Sequence, residues 1–139
     1  MDYKVGDTAT VSKTITDDDI RHFADLIGDH NSVHIDDEFA KKTRFGRRIA
    51  HGMLSASLIS TCIGTQLPGN GAIYLSQTFK FVAPVYPGDT VTARVTITKV
   101  RDDKPIVTLE TVCFNQNEEP VVKGEAVVMV DELKLSTTQ

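Results

Sequence analysis

Residues 8–15, TATVSKTI, place threonine or serine against alanine, valine and isoleucine at nearly every second position, the period of a half-buried strand. The period then changes. Thr16 offers a side-chain cap, Asp17, Asp18 and Asp19 set acids at the positive end of a helix dipole, and Ile20, Phe23, Ala24 and Ile27 recur at i, i+3, i+4 and i+7. This spacing predicts a helix with one apolar face, stopped by Gly28. A short second helix is expected over 36–42. In AHGMLSASLISTCIGTQL, residues 50–67, the apolar side chains Met53, Leu54, Ala56, Leu58, Ile59, Cys62 and Ile63 fall on nearly every side of a helix, with small residues between them. Such a helix is expected to be enclosed on most sides. After PGNG at 68–71 the period returns to two, and residues 73–81 and 91–98 read as long, half-buried strands. Turn chemistry at Pro87-Gly88-Asp89 and at 102–105 separates them from two further strands over 105–114 and 120–130.

The order strand, helices, four antiparallel strands defines an α+β fold in one domain spanning 1–139, with a hydrophobic helix lying in the curve of a single sheet. One sheet covers one side of such a helix well, so a homodimer is expected. Composition changes this picture little. Of 139 residues, 40% are hydrophobic and 24% charged, a soluble globular balance. The apolar run 53–63 is broken by Ser55, Ser57, Ser60 and Thr61 and is too short to span a bilayer, so no membrane association is expected. MDYKVGD lacks the basic start and apolar block of a leader, which points to the cytoplasm. A net charge of −4 argues against a nucleic-acid partner. Cys62 and Cys113, 51 residues apart, have no metal or redox spacing and are expected to be buried small hydrophobes. The polar tail 136–139 is the one compositionally biased run.

Candidate chemistry concentrates between residues 28 and 52. On a continuous helix Asp29 and His34 would point roughly 140° apart. Gly28 and the Asn31-Ser32 pair suggest instead a turn that brings them to one point, where a carboxylate and an imidazole can hold a water and move its proton. Asp29 as a mere turn cap and His34 as an ordinary histidine remain the bland alternative. His30 and His34, four apart, with Asp36 or His51 as a third ligand, suggest a metal, but the set lacks the glutamate of a helical zinc protease motif and no metal is expected. In IAHGML, Gly52 at the start of the enclosed helix offers a free amide to an anion or to developing negative charge, or simply eases the turn. Lys41, Lys42, Arg44, Arg47 and Arg48 form a basic run in an acidic chain, either a solvated face or a contact for a phosphorylated ligand.

The stretch GDHNSVHIDDEFAKKTRFGRRIAHGMLSASLIS closely resembles the hydratase motif of the MaoC-like dehydratases, the (R)-specific enoyl-CoA hydratases, which adopt the hot-dog fold, and the likeness continues through LPGNGAIYLSQTFKFVAPVYPGDTVTA. The resemblance implies reversible addition of water to a trans-2-enoyl-CoA to give an (R)-3-hydroxyacyl-CoA. It implies Asp29 and His34 as the catalytic pair, Asn31 as support for their loop, the Gly52 N–H on the thioester oxygen and Ser60 as a site-lining residue. Arg44, Arg47 and Arg48 are then candidates for the coenzyme A phosphates. The family usually carries proline where this chain has Ser32, a change that loosens the loop without removing a reacting group. No cofactor is implied, since coenzyme A belongs to the substrate. A hot-dog thioesterase and a non-catalytic acyl-CoA-binding module are the alternatives. Polyhydroxyalkanoate precursor supply and fatty acid metabolism are both compatible with the reaction.

Overall fold

A computed structural model describes residues 3–130; the polar tail expected at 136–139 and the first two residues lie outside it. Strand β1 (Thr8–Thr14) is followed by α1 (Asp17–Ile27), α2 (Ser32–Ile35), α3 (Asp37–Lys41) and α4 (Gly52–Thr65), then by β2 (Ile73–Gln77), β3 (Lys80–Phe81), β4 (Thr90–Val100), β5 (Ile106–Phe114) and β6 (Pro120–Met129). The strands form one antiparallel sheet in the order β1-β4-β5-β6-β2, with β3 also on β6. Register shifts at Tyr74/Ser76, Ile97/Lys99 and Cys113/Phe114 bend the sheet. Helix α4 lies against β4, β1, β5 and β6.

The core is the meeting of two periodicities. Val91, Ala93, Val95 and Ile97 from β4, with Val107, Leu109 and Cys113 from β5, point to one face and are fully buried. Ile59, Cys62 and Ile63 of α4 pack onto them. Burial of one such isoleucine stabilises the fold by ~1.5–3 kcal/mol. Both cysteines are free and buried, in keeping with their expected role. The start of α1 is capped as the sequence predicts: Asp19 N–H donates to the Thr16 hydroxyl, and Thr16 N–H donates to the Asp19 carboxylate.

Three expectations require correction. Residues 73–81 form two strands, because β6 carries Gly124 where the chain crosses it. The Thr78 carbonyl packs so closely there that a Cβ at 124 would stand 1.7 Å from its oxygen. Thr78 N–H donates to Glu125 O, and Glu125 N–H to the Thr78 hydroxyl, which holds the kink. Nor is β2 half-buried: Ile73, Tyr74 and Leu75 are all exposed, because β2 is the last strand of the sheet path. Helix α4 is likewise open along Met53, Ser57, Ser60 and Thr61, so in the single chain it is covered on one side only.

Candidate active site

Gly28 ends α1 with φ +76°, a left-handed conformation that glycine adopts without strain. The chain turns out of the helix, and Asn31 restarts it by accepting from Val33 N–H at 3.2 Å. Asp29 therefore stands on a loop while His34 belongs to the four-residue helix α2, the turn that the glycine and the Asn-Ser pair suggest. The Asp29 carboxylate accepts from Asn31 N–H at 3.2 Å. His34 Nδ1–H donates to the Ile49 carbonyl at 2.8 Å. A carbonyl can only accept, so the proton sits on Nδ1 and the neutral ring presents the lone pair of Nε2.

His51 completes the cluster. Its Nε2–H donates to the Asp29 carbonyl at 3.0 Å, and its ring lies face to face with His34, centroids 3.8 Å apart and planes 28° from parallel. One carboxylate or ring atom from each of Asp29, His34 and His51 falls within 4.8 Å of the others. Two hydrogen bonds of ~2.8 Å to one water span such a gap. His34 is 8% exposed. Burial holds its imidazole below the ordinary histidine value and His51 adds to this, while the bond to Ile49 and the Asp29 carboxylate pull the other way.

Gly52 is the first residue of α4. No side chain caps this helix; Leu54 N–H turns back to the His51 carbonyl at 3.0 Å, whereas the Gly52 amide has no acceptor within the helix. Gly52 and His34 line a cleft of about 560 Å³ whose walls are largely apolar, including Phe81, Val82, Val85 and Val122. The buried Ser55 hydroxyl, without a partner among the described residues, lies in the same lining. Ser60 does not. It lines a second groove of about 490 Å³ with Phe23, Tyr74 and Leu75, and Met53 borders both.

The basic run divides. Arg44 lines the cleft with its guanidinium 4.9 Å above the Phe45 ring, and Arg47 stacks 3.9 Å over Tyr86, whose hydroxyl donates to the Phe45 carbonyl. Arg48 is not available to a phosphate, contrary to expectation. It is 13% exposed and bonds to Asp17, to Asp37 at 2.7 Å and to the His34 carbonyl at 3.2 Å, tying α1, α2 and α3 together. Its guanidinium holds the Asp17 carboxyl below the usual carboxylate range. His30 is also accounted for elsewhere, bonded to Asp25 at 2.8 Å on the surface, so the helical His30/His34 metal pair is not assembled. Ser55 is a cleft residue with no sequence signal, and His51, weighed in the sequence only as a possible third metal ligand and as the step before Gly52, joins the cluster through its contacts with His34 and Asp29.

Residues 5–116 match the family model of the MaoC like domain. The chain belongs to the MaoC-like dehydratase family. Among curated proteins it is 50% identical to the (R)-specific enoyl-CoA hydratase of Rhodospirillum rubrum, over 93% of this chain and 89% of that one. It is also 50% identical to the (R)-specific enoyl-CoA hydratase of Aeromonas caviae, over 90% and 93%. The solved (R)-hydratase from A. caviae, described as involved in PHA biosynthesis, superimposes with a TM-score of 0.90 at 48% identity, covering 93% of this chain and 98% of that chain. An R-hydratase from Pseudomonas aeruginosa gives 0.87 at 43% identity, covering 93% and 83%. The MaoC-like dehydratase fold is thus the hot-dog fold, α4 being the helix that the sheet enfolds.

Proposed function

We infer that this MaoC-like dehydratase is an (R)-specific enoyl-CoA hydratase, a hydro-lyase that reversibly adds water to a trans-2-enoyl-CoA. The observation that carries the reading is the convergence of Asp29 and His34 within water-bridging distance, with His34 and the uncapped Gly52 lining one cleft.

The geometry supports the following course. Water is held between the Asp29 carboxylate and the Nε2 lone pair of His34. Its oxygen bonds to the β-carbon, the π pair moves toward the carbonyl, and charge grows on the thioester oxygen. The Gly52 N–H, at a helix start, stabilises that charge; a donor of this kind typically contributes ~3–4 kcal/mol to the transition state. A neutral His34 has no proton to give at Nε2 until it has taken one. We therefore assign to it the proton released by water, which the imidazolium then returns to the α-carbon, with Asp29 orienting the water and stabilising the cation. Asn31 holds the loop through the cap of α2. No metal is invoked in this scheme; Asp29, His34 and His51 could each turn one ligand atom toward a common ion, and chelator treatment separates the two readings.

Incubation of the purified chain with crotonyl-CoA tests the reading. Loss of the enoyl absorbance with an (R)-3-hydroxy product supports it; release of free thiol would make the chain a thioesterase, and no turnover would leave a binding module. Arg44 and Arg47 are the proposed contacts of the coenzyme A phosphates. Ser60, in the second groove, is proposed to meet substrate there. A cytoplasmic location goes with such a substrate, and no described helix is long and apolar enough to cross a membrane.

A homodimer is part of the same proposal. Edge strand β2 exposes Ile73, Tyr74 and Leu75 beside the open face of α4, an apolar edge that an isolated chain would leave prone to pairing. Sedimentation should give twice the chain mass, and a stable, active monomer of 15.3 kDa would exclude this assembly.

A further inference from the structure

His51 takes no part in the chemistry assigned above, yet it touches each piece of it. Its ring covers the face of His34, its Nε2–H holds the main chain of Asp29, and the next residue is Gly52. Phe23 of α1 meets its ring edge-on at 5.1 Å. The residue is 3% exposed, and its Nδ1 has no partner among the described residues. Because Nε2 carries the proton, Nδ1 is a desolvated lone pair, a destabilising arrangement that a carbon ring of similar size would avoid. Packing alone therefore does not account for a histidine here.

We propose that His51 is the positioning residue of this site, fixing the Asp29 loop and the plane of the His34 ring in one geometry so that both meet the same water. The bond from His34 Nδ1 to Ile49 O fixes one point of the ring but leaves it free to swing about that axis. A ring stacked at 3.8 Å removes the swing. Asp29 follows a left-handed glycine on an exposed loop, where Asn31 N–H holds its carboxylate and His51 Nε2–H holds its carbonyl. The charged and titratable groups at the pair are Asp29 from the loop and Arg48 on the His34 carbonyl; α1 contributes the uncharged Phe23. The function of the residue as stated rests on the hydratase reading.

Two variants separate the two contacts. His51→Phe keeps a ring against His34 and drops the donor to Asp29; His51→Gln keeps a donor and drops the ring. Each should lower kcat for crotonyl-CoA at least ~10-fold, the scale expected for a reacting group displaced by a fraction of an ångström, with KM within ~2-fold of the parent. His51→Phe should not lower the melting temperature, and in His51→Gln the His34 titration followed by NMR should move up. Parental kcat in a folded His51→Phe would overturn the proposal, as would losses that simply follow melting temperature in both variants. Nitrogen-15 shifts of the unaltered protein supply a readout that needs no turnover: His51 protonated at Nε2 and His34 at Nδ1 are expected. A His51 proton on Nδ1 would overturn the assignment even if the variants fail to fold. Absence of crotonyl-CoA hydration by the parent would instead count against the hydratase reading, and the NMR arm would still decide the geometry.

Discussion

Phe81 lies directly over Gly52, so closely that a Cβ at position 52 would stand 2.6 Å from Cδ1 of its ring. The glycine is thus required by a neighbour from β3 as well as by any ligand approaching the start of α4. Gly52→Ala should lower kcat ~10–100-fold, since either the ring or the helix start must give way and the amide serves developing charge. Removing the ring removes the clash, so Gly52→Ala/Phe81→Ala should regain most of the lost rate. Steady-state kinetics of the two variants check this; no recovery would mean that the helix start itself had moved.

Asp29→Asn and His34→Ala should each lower kcat by ~10²–10⁴ while leaving KM near the parental value, and Asp29→Asn should also leave the melting temperature unchanged, because in the proposed course both groups act on water and a moving proton rather than on the coenzyme handle. The double variant should fall little further, since either loss disables the same water. Near-normal turnover in a folded Asp29→Asn protein would remove the assignment. Chelator treatment should leave the parent unaffected, and inactivation reversed by zinc would transfer Asp29, His34 and His51 to a metal site.

The pH dependence follows from the His34 tautomer. In the proposed course the ring works as the neutral acceptor, and burial lowers its proton affinity, so the neutral form persists into more acid solution than for an ordinary histidine. The acid limb of kcat/KM should have its midpoint below about 6.5, the ordinary value. A rate that instead falls as pH rises through the His34 value would mean that imidazolium is the active form.

Arginines three and four residues after Arg44 should behave differently from one another. Arg44→Gln/Arg47→Gln should raise KM and weaken its salt dependence with little change in kcat or melting temperature. Arg48→Met should destabilise the fold by ~1–2 kcal/mol, a discounted value for a partly exposed pair of carboxylates around a half-sheltered guanidinium. The sign with pH is fixed by Asp17, whose folded-state proton affinity is lowered: the stabilisation is present above the unfolded carboxyl value and lost as pH falls through the folded one. Denaturant titrations should therefore show the penalty of Arg48→Met at neutral pH and its disappearance in acid.

Most elements and the turn that joins Asp29 to His34, the proposed reacting pair, were legible in the chain because both are local. Thr16, the three aspartates and Gly28 bound α1 through contacts no more than a turn long, and strand periodicity follows from the alternation of side chains along β4 and β5. Asp29, Asn31 and His34 lie within six residues, so their turn can be read without knowing what surrounds it. Their chemistry came from the motif that resembles the MaoC-like dehydratases.

What the linear pattern left undecided depends on residues far apart in the chain. The break between β2 and β3 is set by Gly124, more than forty residues downstream, where missing side-chain volume lets the Thr78 carbonyl settle on β6. Arg48 reads as one of five equivalent cations until Asp17 and Asp37 are brought around it. In sequence His51 stands before a glycine and among candidate metal ligands, with no sign of its neighbours; only folding lays its ring on His34 and its Nε2–H on Asp29. Periodicity reports which face of an element is apolar, whereas partners, charge pairing and proton position are set by what the other elements present to that face.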